Sequence, residues 1–307
     1  MVIKHFLRCF LIDNPTTGPR DYPVDRLREM KRAHEEKIEK ICGLFNVPKT
    51  EIVCFSSPIK GVTAVEIDYD LAARAVLPSK QPGSSYGINL QVKSAYPYTS
   101  KEYWNDCYRQ LKSSFDLYMR NPIIQRGNAA FSVFSVAPIP LIIKLGELIG
   151  DKLPCDVYQK TRFPDTWEWQ AKELTNSFVV DVVKTDVTNG IAALNISLTN
   201  DVNNDRILSA GEFEAIYKIK ASATGVDCIK SIEDLSAFWH TYQGVLDEIL
   251  NKHGAGCQIH LFPAMPVSAA FEVGRRYMLN THPSVTIFDE NNGFFETLKM
   301  GVNTDDR

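Results

Sequence analysis

Two stretches decide how this chain folds. Ser132-Val-Phe-Ser-Val-Ala-Pro138-Ile-Pro-Leu-Ile-Ile-Lys-Leu-Gly146 lies without a gap on His260-Leu-Phe-Pro-Ala-Met-Pro266-Val-Ser-Ala-Ala-Phe-Glu-Val-Gly274. Pro138 matches Pro266, Gly146 matches Gly274, and an apolar run precedes each proline. A short apolar strand follows each copy, Asp156-Val-Tyr-Gln159 in one and Thr286-Ile-Phe-Asp289 in the other. Aromatic pairs come next, Trp167/Trp169 and Phe294/Phe295. Proline after a buried strand fixes φ and opens a helix whose first backbone N–H groups are free. Two such helix starts facing one another would form a concave site tolerant of anions, at the strand ends where open α/β sheets bind ligands. The same pattern also fits two ordinary strand-to-helix units that only build core.

Working outward, strand and helix signals alternate. Helices are expected at 24–45, from the Thr99/Ser100 cap to Asn121-Pro122, at 139–149, from Ser231, and at 267–279. The first carries Val24, Leu27, Met30, Ile38, Ile41 and Phe45 near helical spacing. The second turns Tyr103, Trp104, Cys107, Tyr108, Leu111, Phe115 and Tyr118 inward. Strands are expected at Glu51–Phe55, Val62–Ile67, Gly87–Val92, Ala130–Val136 and Cys155–Gln159, then at 178–183, 191–198, 214–222, 257–262 and 284–288. Such alternation implies parallel sheets with helices on their faces, an α/β fold.

The 307 residues, 44% hydrophobic and 23% charged, suffice for one large domain or two ordinary ones. A net charge of −3 leaves no global cationic field for a nucleic-acid backbone, so a phosphate-bearing ligand would need a local pocket. No apolar run approaches the roughly 18–20 residues that span a bilayer, and the N-terminus is broken by charge too early for a signal-peptide core. Seven scattered cysteines read as reduced thiols in a cytoplasmic protein. Phosphate-loop, dinucleotide-binding, nucleophile-elbow and zinc spacings are all missing. Asp201-x-Asn203-x-Asp205 with Glu212 has calcium-loop spacing, but Arg206 stands where the sharp turn wants glycine. The flanking runs read as strands, so the segment is expected to be a polar hairpin loop.

At the doubled unit the chain resembles the SAVED domain, the cyclic-oligonucleotide sensor of bacterial CBASS anti-phage systems. Ala137-Pro-Ile-Pro-Leu141 through Trp167-Glu-Trp169, Ile219-Lys-Ala-Ser-Ala-Thr-Gly225, and Ile259-His-Leu-Phe-Pro-Ala-Met-Pro266 through Gly274-Arg-Arg276 carry the resemblance. It implies two fused CARF-like Rossmannoid units with one composite pocket. A SAVED domain over 47–307 would comprise a first half of about 47–185 and a second of about 186–307, preceded by a connector over 1–46. Leu11-Ile-Asp-Asn-Pro15 and Tyr22 to Glu35 resemble the end of the nuclease and the connecting helix of HNH–SAVED effectors. The His-rich segment expected before that step is replaced by Phe6-Leu-Arg-Cys-Phe10. His5, Asp13 and His34 therefore inherit no catalytic role, and the chain is read as a sensor portion, the alternatives being an active HNH-type DNA endonuclease that still uses them or an unrelated nucleotide-binding α/β protein. No cofactor is expected in it; Mg2+ or a similar ion, and DNA as a partner, belong to an intact nuclease lobe.

Candidate pocket residues follow. Trp167 and Trp169 could stack a base, or serve as core anchors. Lys160 and Arg162 are placed for a phosphodiester, or are solvated surface charge. Ser222, Thr224 and Gly225 end a strand in a small turn that could approach phosphate, or are an ordinary turn. Phe262, Pro263, Ala264, Met265, Pro266 and Ser268 form the second strand-to-helix switch, and Phe294 with Phe295 could close the far side or pack. His260 reads as a satisfied core histidine. The expected ligand is a cyclic di- or trinucleotide, with homo-oligomerisation on binding and no membrane partner.

Overall fold

The computed structural model describes residues 24–44, 46–120 and 130–301. Helix α1 (Val24–Leu44) leads to β1 (Lys49–Ser56), α2 (Tyr69–Val76), β2 (Gln81–Pro82), β3 (Ile88–Gln91) and α3 (Lys101–Phe115). The repeat's first copy is β4 (Phe131–Val136), α4 (Ile139–Ile149) and β5 (Cys155–Val157). Next come β6 (Phe178–Lys184), β7 (Ile191–Ser197), the short α5 (Asn204–Leu208), β8 (Ala215–Ala221) and α6 (Ile232–His253). The second copy is β9 (Gln258–Ala264), α7 (Val267–Arg275) and β10 (Val285–Glu290), closed by β11 (Phe294–Met300).

Two sheets result. In the first, β2 and β3 pair with β1, β1 with β4 and β4 with β5, all parallel. The second runs β11-β10-β9-β7-β8-β6, parallel in its centre with antiparallel strands at both edges. The echo in the sequence is thus an echo in space, since β4-α4-β5 and β9-α7-β10 are both parallel βαβ units.

The two sheets share one apolar core, and α4 and α7 cross at its centre through the matched glycines. A Cβ on Gly146 would lie 2.2 Å from the Phe271 carbonyl oxygen, and one on Gly274 would lie 1.8 Å from that of Ile143. Only glycine permits backbones this close. Each crossing helix buries one charged residue at the matched position, Lys144 and Glu272. Burial pushes the Lys144 ammonium below its ordinary value; it donates to the Lys299 carbonyl at 2.8 Å, pairs with Glu147 and sits over Tyr108. Glu272 binds Arg275 and Arg276.

Several expectations are corrected. Val62–Ile67 forms only an isolated bridge between Ile59 and Val62, after which the Asp68 carboxylate accepts from the N–H groups of Asp70 and Leu71 and starts α2. The 191–198 and 214–222 strands lie side by side in parallel, so their connection is a crossover through α5 and no hairpin. Asp201 of the calcium-like loop is held by Lys218 and Lys220, and no cluster of three metal-capable side chains occurs among the described residues. Strand β6, placed by sequence in the first half, is the edge of the second sheet. In α1, Met30 is exposed, Ile38 and Ile41 are half-buried and Cys42 is buried. Beyond α3 a π-helical turn, Asp116–Arg120, advances the inward stripe by one residue, burying Met119 and exposing Tyr118. The expected stop at Asn121-Pro122, and His5, Asp13, Val24, Leu27 and Phe45, lie outside the described residues or side chains. All six described cysteines are unpaired. No helix among the described residues is long and apolar enough to cross a membrane.

Candidate functional site

Both proline-led helices open on the same edge of the molecule. Helix α4 follows β4 at the carboxyl edge of the first sheet, and α7 follows β9 at the carboxyl edge of the second. The Ser268 N–H, in the first turn of α7, donates to Gln159 Oε1 at 3.1 Å, and Gln159 stands just past the end of β5. Reciprocally, the loops at the first sheet's carboxyl edge reach the end of β10. The Tyr98 hydroxyl donates to Asp289 Oδ2 at 2.5 Å, and Lys60 Nζ meets Glu290 Oε2 at 3.1 Å. The two carboxyl edges therefore meet across one seam flanked by both helix starts, Pro138 and Pro266. Their first-turn N–H groups give this edge positive partial charge.

The segment after β5 bridges the seam. Thr161 and Thr166 close a turn, and the N–H groups of Gln170 and Ala171 both donate to the Lys230 carbonyl at 3.0 Å. Along this segment the candidates separate. Trp167 is 2% exposed and meets Phe134 edge-on at 5.2 Å beneath α2, while Lys160 pairs with Asp165 and lies 5.5 Å over the indole. Its placement is that of the core anchor. Trp169 is half-buried against the shared core, and Arg162 is exposed. Phe163, between Arg162 and Pro164, is 91% exposed and was not among the sequence candidates; the aromatic in a Phe-Pro turn was the available signal.

In the second half, Ser222, Thr224 and Gly225 lie at the end of β8, on the same carboxyl edge. Ser222 and Ser177 share a 2.7 Å hydroxyl contact, the Thr224 hydroxyl donates to the Ala221 carbonyl, and the Gly225 N–H donates to the Leu198 carbonyl. A Cβ on Gly225 would meet open space, so the backbone there is approachable. Phe262 is fully buried, stacked on Phe288 at 4.6 Å, and belongs to the core under α5. Pro263 and Ala264 are half-buried, while Met265, Pro266 and Ser268 are buried in the switch itself. Phe294 is half-buried, edge-on to Phe262 with the Arg206 guanidinium 5.2 Å above its ring. Arg206, Glu290, Asn292 and Phe294 line a cavity of about 320 Å3 beside the seam. Phe295 turns away toward Tyr98 and Trp104. The His260 ring is wedged between Phe213 and Phe288 and burial lowers its pKa, but its Nδ1 has no hydrogen-bond partner, so it is not the satisfied histidine expected.

Three buried polar groups stand out here: Ser268, a candidate from the sequence, and Gln159 and Ser135, which were not candidates. Gln159, Ser135 and Ser268 are 7%, 1% and 0% exposed, and neither serine hydroxyl has a hydrogen-bond partner. Burial also raises the Asp289 carboxyl, against the opposing effect of the Tyr98 hydrogen bond.

Comparison with known proteins agrees with this architecture. Residues 117–300 match the model of the SAVED family, the SMODS-associated and fused to various effectors sensor domain. Among solved structures, the chain resembles the Acinetobacter baumannii Cap4 SAVED/CARF-domain containing receptor with the cyclic trinucleotide 2′3′3′-cAAA (TM-score 0.53, 12% identity, 85% of this chain and 55% of that one). The same receptor without a ligand named gives TM-score 0.51 at 12% identity over 83% and 50% of the two chains, and with 3′3′3′-cAAA it gives 0.52 at 14% over 72% and 50%. The chain thus spans about half the length of these receptors. A search of curated protein sequences finds no match. A doubled strand–proline–helix unit with both helix starts on one seam, together with the match over 117–300, means that this chain belongs to the SAVED sensor-domain family.

Proposed function

We propose that this chain senses a cyclic oligonucleotide messenger, a cyclic di- or trinucleotide made by a partner nucleotidyltransferase in a CBASS anti-phage system. The observation that carries the reading is the shared seam, where two helix N-termini and two carboxyl edges converge. Such an edge suits a ligand with several phosphodiesters and several bases, because backbone N–H groups take the phosphates while aromatic side chains take the bases. The bound cyclic trinucleotides of the Cap4 receptors, which share the fold, support the ligand class. Trp169, Phe163 and Phe294 are the base-stacking candidates; Arg162, Lys160, Ser222, Thr224, Gly225 and the backbone of 263–268 are the phosphate candidates. A ligand touching both halves favours one relative arrangement of them. That arrangement drives association of protomers and activates an attached DNA endonuclease of the HNH type.

Calorimetric titration with a panel of cyclic di- and trinucleotides, with linear AMP as control, tests the binding step. At least one cyclic member should bind and AMP should not; preference for AMP, or no heat from any member, overturns the reading. Light scattering with and without the bound member tests association, and an unchanged mass overturns that step alone.

A further inference from the structure

Gln159 stands at the most consequential contact of the seam. In the repeat it occupies the position that Asp289 occupies in the second copy. Gln159 stands just past the end of β5 and Asp289 is the last residue but one of β10, and each accepts a hydrogen bond from the opposite half, Gln159 from Ser268 N–H and Asp289 from Tyr98 O–H. The repeat also explains why the bonds differ. Ser268 is matched by Pro140 in α4, which has no N–H to give, so Asp289 turns to Tyr98. The Gln159 side chain is thus an uncharged acceptor on one of the four N–H groups that a helix start leaves free. Ser268 Oγ is buried and without a partner, and so is Ser135 Oγ, which stands two residues beyond Val133 on β4 as Gln159 stands two beyond its paired residue Val157 on β5. A buried hydroxyl without an acceptor costs about 1–3 kcal/mol, so an acceptor that reached both hydroxyls would recover that cost.

We infer that Gln159 is a gate over a phosphodiester subsite formed by Ser135, Ser268 and the first turn of α7. A phosphate of the messenger displaces the Gln159 carbonyl and accepts from the Ser268 N–H and from both hydroxyls. The inference rests on the messenger reading above and adds its regulation. Binding at this subsite undoes one of the two equivalent cross-half clasps, so occupancy is coupled to how the halves are held.

Two variants test it. Gln159→Leu keeps the volume and removes the acceptor. Without ligand, hydrogen exchange at the Ser268 amide should speed about tenfold while β7 amides stay unchanged, and affinity for whichever cyclic oligonucleotide binds the wild type should rise about tenfold. Ser268→Pro removes both the N–H and the hydroxyl at a first-turn position where this chain already accepts proline, as Pro140 shows in α4. Its affinity should fall at least tenfold with an unchanged circular dichroism spectrum. Unaltered exchange in Gln159→Leu overturns the clasp. Unaltered or weakened binding there, or wild-type binding by Ser268→Pro, overturns the gate while leaving the messenger reading intact. A wild-type chain that binds no cyclic oligonucleotide overturns both.

Discussion

The two tryptophans of Trp167-Glu-Trp169 show what two residues of spacing do. Trp167 points into the layer between the first sheet and α2, among Ile52, Ala72, Val76 and Phe134, whereas Trp169 rests half-buried on the shared core beside the seam. Truncating a buried tryptophan costs about 3–5 kcal/mol. Trp167→Ala should therefore lower the urea midpoint sharply, while Trp169→Ala should weaken messenger binding with a much smaller stability loss. Reversal of that pattern in paired unfolding and calorimetry would reverse the assignment. The sequence announced both aromatics but no side-chain direction, because the segment is a loop with no period to read. Lys160 was legible as a cation near the tryptophans, yet its partners, Asp165 and the Trp167 ring, exist only in the folded turn. A buried histidine, His282, and a half-buried one, His260, supply a pH prediction. Burial lowers the pKa of His260 and of His282, whose Nδ1 accepts from the Met278 N–H at 3.2 Å. A depressed histidine means that the unfolded chain binds more protons as pH falls through about 6.5. Stability from these sites is complete above that value and is lost below it. The urea midpoint should drop between pH 7.5 and 5.5, and the double variant His260→Phe/His282→Gln should flatten that drop.

At the scale of elements, the Pro-to-Gly spacing of the repeat was fully legible, although the reason for its glycines was not. Composition shows only that Gly146 and Gly274 recur; the fold shows that they let α4 and α7 touch backbone to backbone. Gly274→Ala forces a methyl group into the Ile143 carbonyl and should cost about 3 kcal/mol, with loss of messenger binding because both helix starts shift. Gly244 is the internal control. It lies inside α6, where an added Cβ meets nothing within 4 Å, so Gly244→Ala should stabilise by about 0.5–1 kcal/mol. Equal and small effects at both positions would remove the helix crossing from the account. The edge strand β11 escaped the sequence reading for a different reason. Phe294 and Phe295 drew attention as aromatics, while Asn292-Gly293 just before them is a strong hairpin signal; both residues have positive φ, 59° and 139°, in the turn between β10 and β11. Here the letters themselves carry the signal, an Asn-Gly turn between two apolar runs. Strand β6 was different: its edge pairing with β8 is a tertiary choice that no local pattern encodes.

For the whole molecule, the decisive feature is that the two sheets share their largest core, while each keeps a smaller cluster of its own on its other face. One apolar cluster runs from Val53, Trp104 and Val133 of the first half through Leu141 and Phe271 of the crossing helices to Leu194, Tyr217 and Ile259 of the second. Halves that share a core cannot unfold one at a time without exposing the helix crossing, so the described body should unfold in a single cooperative step. Tryptophan fluorescence is divided between the halves, with Trp104, Trp167 and Trp169 in one and Trp239 in the other, while far-ultraviolet circular dichroism follows all helices together. Urea transitions followed by the two probes should coincide. A messenger that grips both edges of the seam must then stabilise the unit as a whole; at a free concentration of one hundred times its Kd the gain is about 2.7 kcal/mol, seen as one shifted transition. Two resolved transitions, with only one moved by ligand, would mean that each half carries its own core and that the site belongs to one of them. A single shifted transition instead makes the seam a property of the duplicated fold, since a phosphate taken up at α7 would then be felt at β5 through Gln159 and at α4 through the paired glycines.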